Sequence, residues 1–324
     1  MNTQPAGFQR LVIVVNPSSS NYDRGQRYIH ELTSIFPAKQ LIIIELRQSD
    51  YDRPSWLISR LSQALRGSRC LLAIAGGDGT DNLIIEALLN SPAISPLARG
   101  TVILPLWAGN ANDLAHMING NPPSSIQSLL ETATVHYVHP LEVTLLNRGK
   151  TTTRLAACYM SVGASAYASM RISNPAHRRR RLYRFPGGRN LTDVASVSRA
   201  FLGAPTFSAT IDDFKRPIYD IAAINGPRIA KLSRIPISLT DQRFYEIIVG
   251  RRHPLLLSYI VQIARGASVQ RGPTDRLSFR VNEPTWAQIN GEPLRIPAHT
   301  TITIRPHTQA FSILSTKLAP KGQA

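Results

Sequence analysis

Three glycines stand between a short apolar run and an amphipathic segment. The run 70–75 has no charged residue and shows the pattern of a strand buried on both faces. The string Gly-Gly-Asp-Gly-Thr follows at 76–80, and apolar residues then recur at helical spacing through 83–89. Glycine lacks the Cβ that keeps ligands off the backbone, and a helix N-terminus attracts anions. The stretch predicts a phosphate site or, alternatively, an ordinary strand–helix turn.

The aspartate within this loop, Asp78, limits what the loop can bind. A carboxylate repels a bare phosphate at short range. It therefore indicates either a metal ion beside the anion or a side chain that accepts N–H groups of the turn.

Apolar strands alternate with helices along the first part of the chain, a pattern that predicts a parallel sheet with helices on both faces. Strands are predicted at 11–15, 41–46, 70–75 and 101–104, and helices at 26–36, 54–65 and 81–90. Polar segments follow three of the strands, at 16–20, 76–80 and 105–113. Ligands of such sheets bind at the carboxyl ends of the strands, so we expect these segments to meet at a nucleotide site.

From about residue 138 the pattern changes to short alternating segments separated by Gly, Pro and Asn. Strands are predicted at 141–147, 152–161, 206–211, 219–225, 244–250, 277–281, 286–289 and 300–305, with helices near 191–202 and 254–265. The predicted fold class is α/β, with an N-terminal parallel-sheet nucleotide-binding domain and then a mainly antiparallel, β-sandwich-like substrate domain. The predicted domains span 1–137 and 138–308, with a tail at 309–324 returning to the first.

The charge balance of the 324-residue chain favours anionic partners. Lys and Arg total 37 against 20 Asp and Glu, which gives a net charge of +17. Such an excess attracts nucleic acid, acidic lipid surfaces or polyphosphates. Most of it is arginine, which suits bidentate contacts with phosphate.

Two cysteines and the absence of long apolar runs bear on location. Cys70 and Cys158 lie in apolar surroundings and are expected to be buried thiols, consistent with a reducing cytoplasm. No apolar run approaches the roughly 20 residues that span a bilayer. We therefore expect a cytoplasmic protein whose membrane contact is peripheral.

The glycine loop resembles the GGDGT signature shared by diacylglycerol kinases, sphingosine and ceramide kinases, bacterial lipid kinases and NAD kinases. In that superfamily the loop holds the phosphates of ATP. Asn16-Pro17 matches the family's first motif, although a serine run replaces its glycine, and Ser49 or Asp50 falls near a family nucleotide contact. The resemblance implies that ATP is bound by Asn16, Ser49, Gly76, Gly77, Asp78, Gly79, Thr80, Asn82, Gly109, Asn110, Asn112 and Asp113.

The segment 105–115, Pro-Leu-Trp-Ala-Gly-Asn-Ala-Asn-Asp-Leu-Ala, resembles the lipid-kinase motif PxGTGND. Two residues are inserted after Leu106, and Asn110 stands where the family has threonine. The alternative interpretation is a tight loop in which Asn112 and Asp113 only cap the next helix.

A late turn at 286–293, Trp-Ala-Gln-Ile-Asn-Gly-Glu-Pro, predicts a hairpin because Asn-Gly favours positive φ at both central positions. A hairpin without chemistry explains it equally well. The family carries DGE here, so the resemblance implies that Glu292 is the catalytic proton acceptor, with Asp78 as its partner in catalysis. Asn290 replaces the family's aspartate.

The stretch 235–249 resembles a family segment that binds a structural magnesium ion. Asp241 matches the family's aspartate, whereas Gln242 and Tyr245 replace a glycine and a second aspartate. The resemblance implies a Mg²⁺ site formed by Asp241, the carbonyl of Phe244 and Glu246, and both retention and loss of that site stay open.

Seven arginines lie between Arg171 and Arg189, interleaved with His177, Tyr183 and Phe185. This basic stretch is predicted to dock on an anionic membrane, where each cation contributes about 1 kcal/mol. A solvated loop is the alternative, and nucleic acid ranks lower because no nucleic-acid-binding fold is recognised. The oligomeric state is undetermined, with a homodimer as one option.

The resemblance implies an ATP-dependent lipid kinase that uses Mg²⁺ and phosphorylates the hydroxyl of a lipid such as diacylglycerol. NAD kinases share GGDGT but lack the late turn, which favours the lipid branch. A kinase of a soluble hydroxyl metabolite and a non-catalytic relative that binds nucleotide or nucleic acid are the alternatives.

Overall fold

The computed structural model describes residues 7–47, 54–67, 69–173, 199–201, 203–228, 235–250 and 272–318. The helix predicted at 254–265 and most of that at 191–202 lie outside these residues. The chain forms two compact units. The first unit is Met1–Pro140, Ser238–Asp241 and His307–Ala324, and the second unit is Leu141–Ile237 and Gln242–Pro306.

The described residues include eighteen strands and seven α-helices, besides a 3-10 helix at Ala38–Gln40 and helical residues at 199–201 and 203. The strands are β1 Arg10–Val15, β2 Leu41–Glu45, β3 Cys70–Ala75, β4 Thr101–Pro105, β5 Thr134–Val138, β6 Leu141–Asn147, β7 Lys150–Ala156, β8 Tyr159–Gly163, β9 Phe207–Ile211, β10 Phe214–Ile218, β11 Asp220–Ile224, β12 Phe244–Val249, β13 Pro273–Thr274, β14 Leu277–Val281, β15 Thr285–Ile289, β16 Glu292–Ile296, β17 Thr300–Pro306 and β18 Phe311–Ser315. The helices are α1 Tyr22–Ile35, α2 Pro54–Ala64, α3 Asp78–Asn90, α4 Ser95–Ala98, α5 Asp113–Asn119, α6 Ile126–Thr132 and α7 Ala164–Ser173.

The first unit is built on one six-stranded sheet in the order β2-β1-β3-β4-β18-β5. Strands β1 to β4 and β18 are parallel, and β5 alone is antiparallel to its neighbour. Leu11 and Ile13 pack with Tyr28 of α1 on one face. Val12 and Val14 on the other face are equally buried. A sheet covered on both faces confirms the α/β class predicted for this part.

Strands β5 and β18 extend this sheet beyond the four strands that the sequence predicts. Strand β5 lies at the edge, and Tyr137 is 64% exposed. Its residues Thr-Val-His-Tyr-Val favour a strand, but the segment lies at the predicted boundary between the domains. Strand β18 enters between β4 and β5 from the far end of the chain, a position that local sequence does not encode.

The second unit consists of two six-stranded antiparallel sheets. Their orders are β10-β9-β14-β17-β6-β7 and β13-β12-β11-β8-β15-β16. Inward residues of both sheets form one core, which includes Val143, Phe279, Ile302, Val162, Ala223 and Ile289. This arrangement confirms the mainly antiparallel, sandwich-like fold class.

The second unit contains strands β10 and β13, which the sequence does not predict, and it differs from the predicted elements in two further places. The single strand predicted over 152–161 is two strands, β7 and β8, which belong to different sheets. The break at Ala157–Cys158 is held by Asn225, which donates from Nδ2 to the Ala157 carbonyl at 2.9 Å. Helix α7 follows β8 where no helix is predicted, because its run of small residues has only weak amphipathic character.

Candidate functional site

Three loops follow β1, β3 and β4 of the first unit and are bonded to one another. Asn16 Nδ2 donates to Thr80 Oγ1 at 3.0 Å, which joins the first loop to the second. The backbone N–H of Asn21 donates to the Ala108 carbonyl at 2.9 Å, and its side chain donates to the carbonyl of Gly109. The meeting of these segments at one edge of the sheet is therefore confirmed, while their binding of a nucleotide stays a prediction.

Glycines allow the second and third loops to touch. A Cβ on Gly109 would lie 2.4 Å from the Cα of Gly77, and one on Gly76 would lie 2.5 Å from the Cβ of Thr80. No side chain fits at such distances. Close packing between the two loops therefore requires Gly109, and Gly76 is required by the packing of the glycine loop against its own Thr80, whether or not a ligand is bound.

The N-terminus of α3 lies directly at this junction. Gly77 is the residue before the helix, and the N–H of Asp81 donates to its carbonyl at 3.0 Å in the first turn. Thr80 and Asn82 are buried, and the 13-residue helix contributes its dipole to the loop. An exposed glycine backbone at such a terminus suits a phosphate group.

Asp78 belongs to α3, yet its carboxylate caps the N-terminus of another helix, α5. Its Oδ1 accepts the N–H of Leu114 at 3.3 Å, and the N–H of Asp113 also bonds to the carboxylate. From the sequence we expect a metal ion or N–H groups of the glycine turn as partners, whereas these two N–H groups belong to the start of α5. The carboxylate thus fixes the start of α5 against the glycine loop.

Asn112 does not cap α5 with its side chain, so that expectation is wrong. Its Oδ1 accepts the N–H of Gly109 at 2.7 Å, and its Nδ2 donates to the Gly109 carbonyl at 2.9 Å. Asn112 has φ of 50°, a left-handed conformation that asparagine tolerates well. The residue closes its own loop, and Asp78 caps the helix instead.

Three aspartates concentrate negative charge at this edge of the first unit. Burial, and next the charge of Asp113, raise the pKa of Asp78 to about 7, although the residue as a whole is only half-buried. Burial, and next the charge of Asp78, raise the pKa of Asp81 well above its ordinary value. A bound cation would favour the ionised carboxylates.

Magnesium fits this chemistry only together with a nucleotide. No group of three or more His, Cys, Asp or Glu side chains within the described residues is arranged to hold a metal by itself. Mg²⁺ is commonly held by one or two carboxylates plus substrate phosphates, and Asp78 and Asp113 are suitable carboxylates.

The two residues inserted after Leu106 anchor the third loop. Trp107 is fully buried, donates from Nε1 to the Gly120 carbonyl at 3.1 Å, and stacks obliquely 5.9 Å from Tyr28. Ala108 packs against Gly25, where a Cβ would lie 2.8 Å from its own Cβ. The insertion thus changes how the loop is held, and Asn110 lies exposed beyond it. Trp107 is a large aromatic residue within a polar loop, and this is the sequence signal from which the anchor could have been predicted.

The predicted hairpin turn joins β15 and β16 of the second unit. Asn290 and Gly291 have φ of 46° and 85°, which confirms positive φ at both central positions. Asn290 Oδ1 accepts the N–H groups of Cys158 and Tyr159, both at 3.0 Å. Asn290 is buried, whereas Glu292 is exposed on the first residue of β16. The amide oxygen thus gives Asn290 a structural role that its match to an aspartate did not indicate.

Residues 10–145 match the family model of the diacylglycerol kinase catalytic domain. This match supports phosphoryl transfer as the class of activity.

Solved structures resemble this chain over nearly its whole length. One putative diacylglycerol kinase from Bacillus anthracis str. Sterne is 14% identical, with a TM-score of 0.65 over 96% of this chain and 98% of its own. A second diacylglycerol kinase from that organism is 13% identical, with a TM-score of 0.61 over the same shares. Yeast NADH kinase complexed with NADH is 10% identical, with a TM-score of 0.54 over 96% of this chain and 84% of its own. No curated protein matches this chain by sequence. At these identities the likeness shows the fold alone.

Each of the three residues of the predicted magnesium site lies within one of the two units. Asp241, in the first unit, accepts the N–H of Ser238 through Oδ2 at 3.1 Å within a local turn. Phe244 and Glu246 are buried on β12 of the second unit. A magnesium site at these residues stays a prediction.

Several predicted contacts lie outside the described residues, namely Ser49, Asp50 and the basic stretch beyond residue 173. Arg171 is described at the end of α7, exposed, with its guanidinium 5.3 Å from the centre of the Tyr167 ring. None of the helices that the model describes has the length and apolarity needed to cross a membrane.

Proposed function

We propose that this protein transfers the γ-phosphoryl group of ATP to a lipid hydroxyl such as that of diacylglycerol, with Mg²⁺ as cofactor. The observation that carries the proposal is the mutual bonding of three loops at the ends of β1, β3 and β4. These loops lie within the segment that matches the family model of the diacylglycerol kinase catalytic domain.

The first unit supplies the proposed phosphate site. The backbone of Gly77 to Gly79 and the N-terminus of α3 offer N–H groups and a positive dipole end to the phosphates. Asn16 and Asn112 hold the flanking loops in place through their amide groups. Magnesium, when bound between Asp78, Asp113 and the phosphates, would neutralise charge that develops during transfer.

Glu292 is the proposed general base. As the lipid hydroxyl oxygen bonds to the γ-phosphorus, the bond from that phosphorus to the β-phosphate bridging oxygen breaks and ADP leaves. The hydroxyl proton passes to the Glu292 carboxylate. Glu292 is exposed, whereas Asn290 in the turn before it is buried. The exposure of the Glu292 side chain supports this role.

A lipid acceptor is supported by the late turn and by the net charge of +17, which favours approach to anionic membranes. The second candidate is a kinase of a soluble hydroxyl metabolite such as NAD(H), and the likeness to yeast NADH kinase favours it. A non-catalytic relative would bind ATP without turnover.

Transfer of labelled γ-phosphate tests these alternatives. The protein, ATP and Mg²⁺ are incubated with mixed lipid vesicles and, separately, with NAD, and Glu292→Gln is the matched variant. We expect a labelled lipid that the variant does not produce, while ATP binding persists in both proteins. Labelled NAD with no labelled lipid would favour the soluble acceptor, and bound ATP with no product would favour the non-catalytic relative.

A further inference from the structure

The turn before Glu292 is held on two sides by other parts of the second unit. Asn290 bonds to the connection between β7 and β8, through its side chain and through its N–H, which donates to the Tyr159 carbonyl at 2.9 Å. From α7, the hydroxyl of Ser169 donates to the carbonyl of Gly291. The bonds of Asn290 hold the residue before Gly291, and the bond from Ser169 holds the carbonyl of Gly291 itself.

Helix α7 is itself fixed at its start. Asp220 Oδ1 on β11 accepts the N–H of Ser165 at 3.1 Å and its hydroxyl at 2.9 Å. The helix packs against β15 and β16, and Ala166 and Ala168 are buried. Ser169 follows Ser165 by four residues and therefore lies on the same face of the helix. Its hydroxyl consequently reaches the turn from a rigid support.

The carbonyl that Ser169 holds belongs to the peptide group linking Gly291 to Glu292. Glycine restricts backbone rotation less than any other residue, so this peptide group is the least restrained part of the turn. Fixing its plane fixes the position of the Glu292 Cα, from which the side chain starts. The bond thus acts on the position of Glu292 without touching its carboxylate.

We propose that Ser169 is a positioning residue for Glu292, an inference that rests on the proposed role of Glu292 as proton acceptor. A base must lie within hydrogen-bond reach of the hydroxyl whose proton it accepts. A displacement of about 1 Å is enough to cost on the order of 100-fold in rate. Loss of the Ser169 hydroxyl therefore lowers the rate of transfer and leaves the binding of ATP unaltered.

The experiment compares Ser169→Ala with Ser278→Ala, a matched loss of a hydroxyl from an exposed position on β14 of the same unit, where within the described residues the serine hydroxyl bonds only to Thr303 Oγ1 at 3.2 Å. Transfer from ATP to diacylglycerol in mixed detergent micelles is measured with Mg²⁺. We expect Ser169→Ala to lower kcat about 10-fold with an unchanged KM for ATP, within the range expected for a misplaced base. Ser169→Thr restores most of the rate because it retains a hydroxyl, and Ser278→Ala keeps the wild-type kcat.

A double variant separates positioning from a general structural effect. In the Glu292→Gln background no base is left to misplace, so adding Ser169→Ala causes no further loss of the residual rate. Hydrogen exchange of peptides within 286–296 should also become faster in Ser169→Ala, a readout that needs no activity.

The inference is overturned if Ser169→Ala is as active as wild type, if its loss persists fully in the Glu292→Gln background, or if exchange within 286–296 is unchanged. A wild-type protein that phosphorylates neither lipid nor NAD overturns the proposed function, and the inference with it. The two failures are thus distinguishable by the wild-type rate alone.

Discussion

Oδ1 of Asp78 lies 3.3 Å from the backbone nitrogen of Leu114, so a residue of α3 caps α5. A capping side chain satisfies N–H groups that have no partner within their own helix. Here the cap also ties the glycine loop to the loop after β4.

Replacing Asp78 by alanine removes this cap. We expect Asp78→Ala to lower the free energy of unfolding by about 1 kcal/mol, the usual effect of losing an N-cap, and to weaken ATP binding. Asp78→Asn keeps an acceptor oxygen and should lose less stability. Denaturant unfolding and ATP titration measure the two effects. The control is Asp23→Ala, which removes an exposed carboxylate from the first turn of α1. Equal losses in Asp78→Ala and this control would contradict the role of the cap.

Gly109→Ala tests the packing between loops. An added Cβ would meet the Cα of Gly77 at 2.4 Å, so the loops must separate. We expect a loss of about 1–3 kcal/mol in unfolding free energy, together with much weaker ATP binding. Gly203→Ala is the control, because a Cβ there meets no atom within 4 Å. Wild-type ATP affinity in Gly109→Ala would show that the loop contact is unimportant for the site.

Asp81→Asn tests the buried charge at the start of α3. Burial raises the folded-state pKa of Asp81 well above 3.8, so the folded protein binds this proton more tightly than the unfolded chain does. Its stability contribution therefore falls as pH rises from about 4 towards the folded-state pKa. Asp81→Asn has no carboxylate at this position, so its stability lacks this decrease with rising pH.

We accordingly expect Asp81→Asn to raise the melting temperature more at pH 8 than at pH 5. The pKa values of Asp78 and Asp220 are both raised to about 7, so these residues also lower stability as pH rises. Both residues are present in the wild type and in the variant, and the comparison therefore isolates Asp81. Thermal unfolding across pH 4–8 measures the difference, and Asp23→Asn is the exposed control. A constant difference between variant and wild type at all pH values would refute the prediction.

Trp107 makes a strong prediction about stability. Trp107→Ala empties a fully buried site, and we expect a loss of about 3–5 kcal/mol. Trp107→Phe keeps a ring beside Tyr28 but leaves the Gly120 carbonyl without its indole donor. We therefore expect this variant to lose about 1–3 kcal/mol in the free energy of unfolding. Denaturant midpoints measure both. Trp56→Ala, at a side chain 36% exposed on α2, should cost far less.

The meeting of the three loops was predictable because each follows a parallel strand of the same sheet. The order of strand, glycine turn and helix also predicted where the N-terminus of α3 lies. Hydrophobic periodicity predicts the strands and helices locally. The geometry of a parallel sheet then brings the carboxyl ends of its strands to one edge.

The contacts that support those loops were not predictable from the sequence. The bond from Asp78 to Leu114 depends on the position of a helix that begins 35 residues later. The bond from Ser169 to Gly291 joins residues 122 positions apart. Neither residue type nor spacing encodes such pairs, because tertiary packing decides which N–H or carbonyl group lies within reach.

The position of β18 has a consequence for synthesis of the protein. The first unit contains residues from both ends of the described chain, and β18 separates β4 from β5 in its sheet. A ribosome therefore releases all of 141–306 before it releases the strand that completes the first sheet. The β-rich unit can fold while translation continues, whereas the half that carries the glycine loop must wait for its final strand. Until then the nascent chain exposes the open edges of β4 and β5, and chaperones that bind unpaired strands have their longest opportunity there.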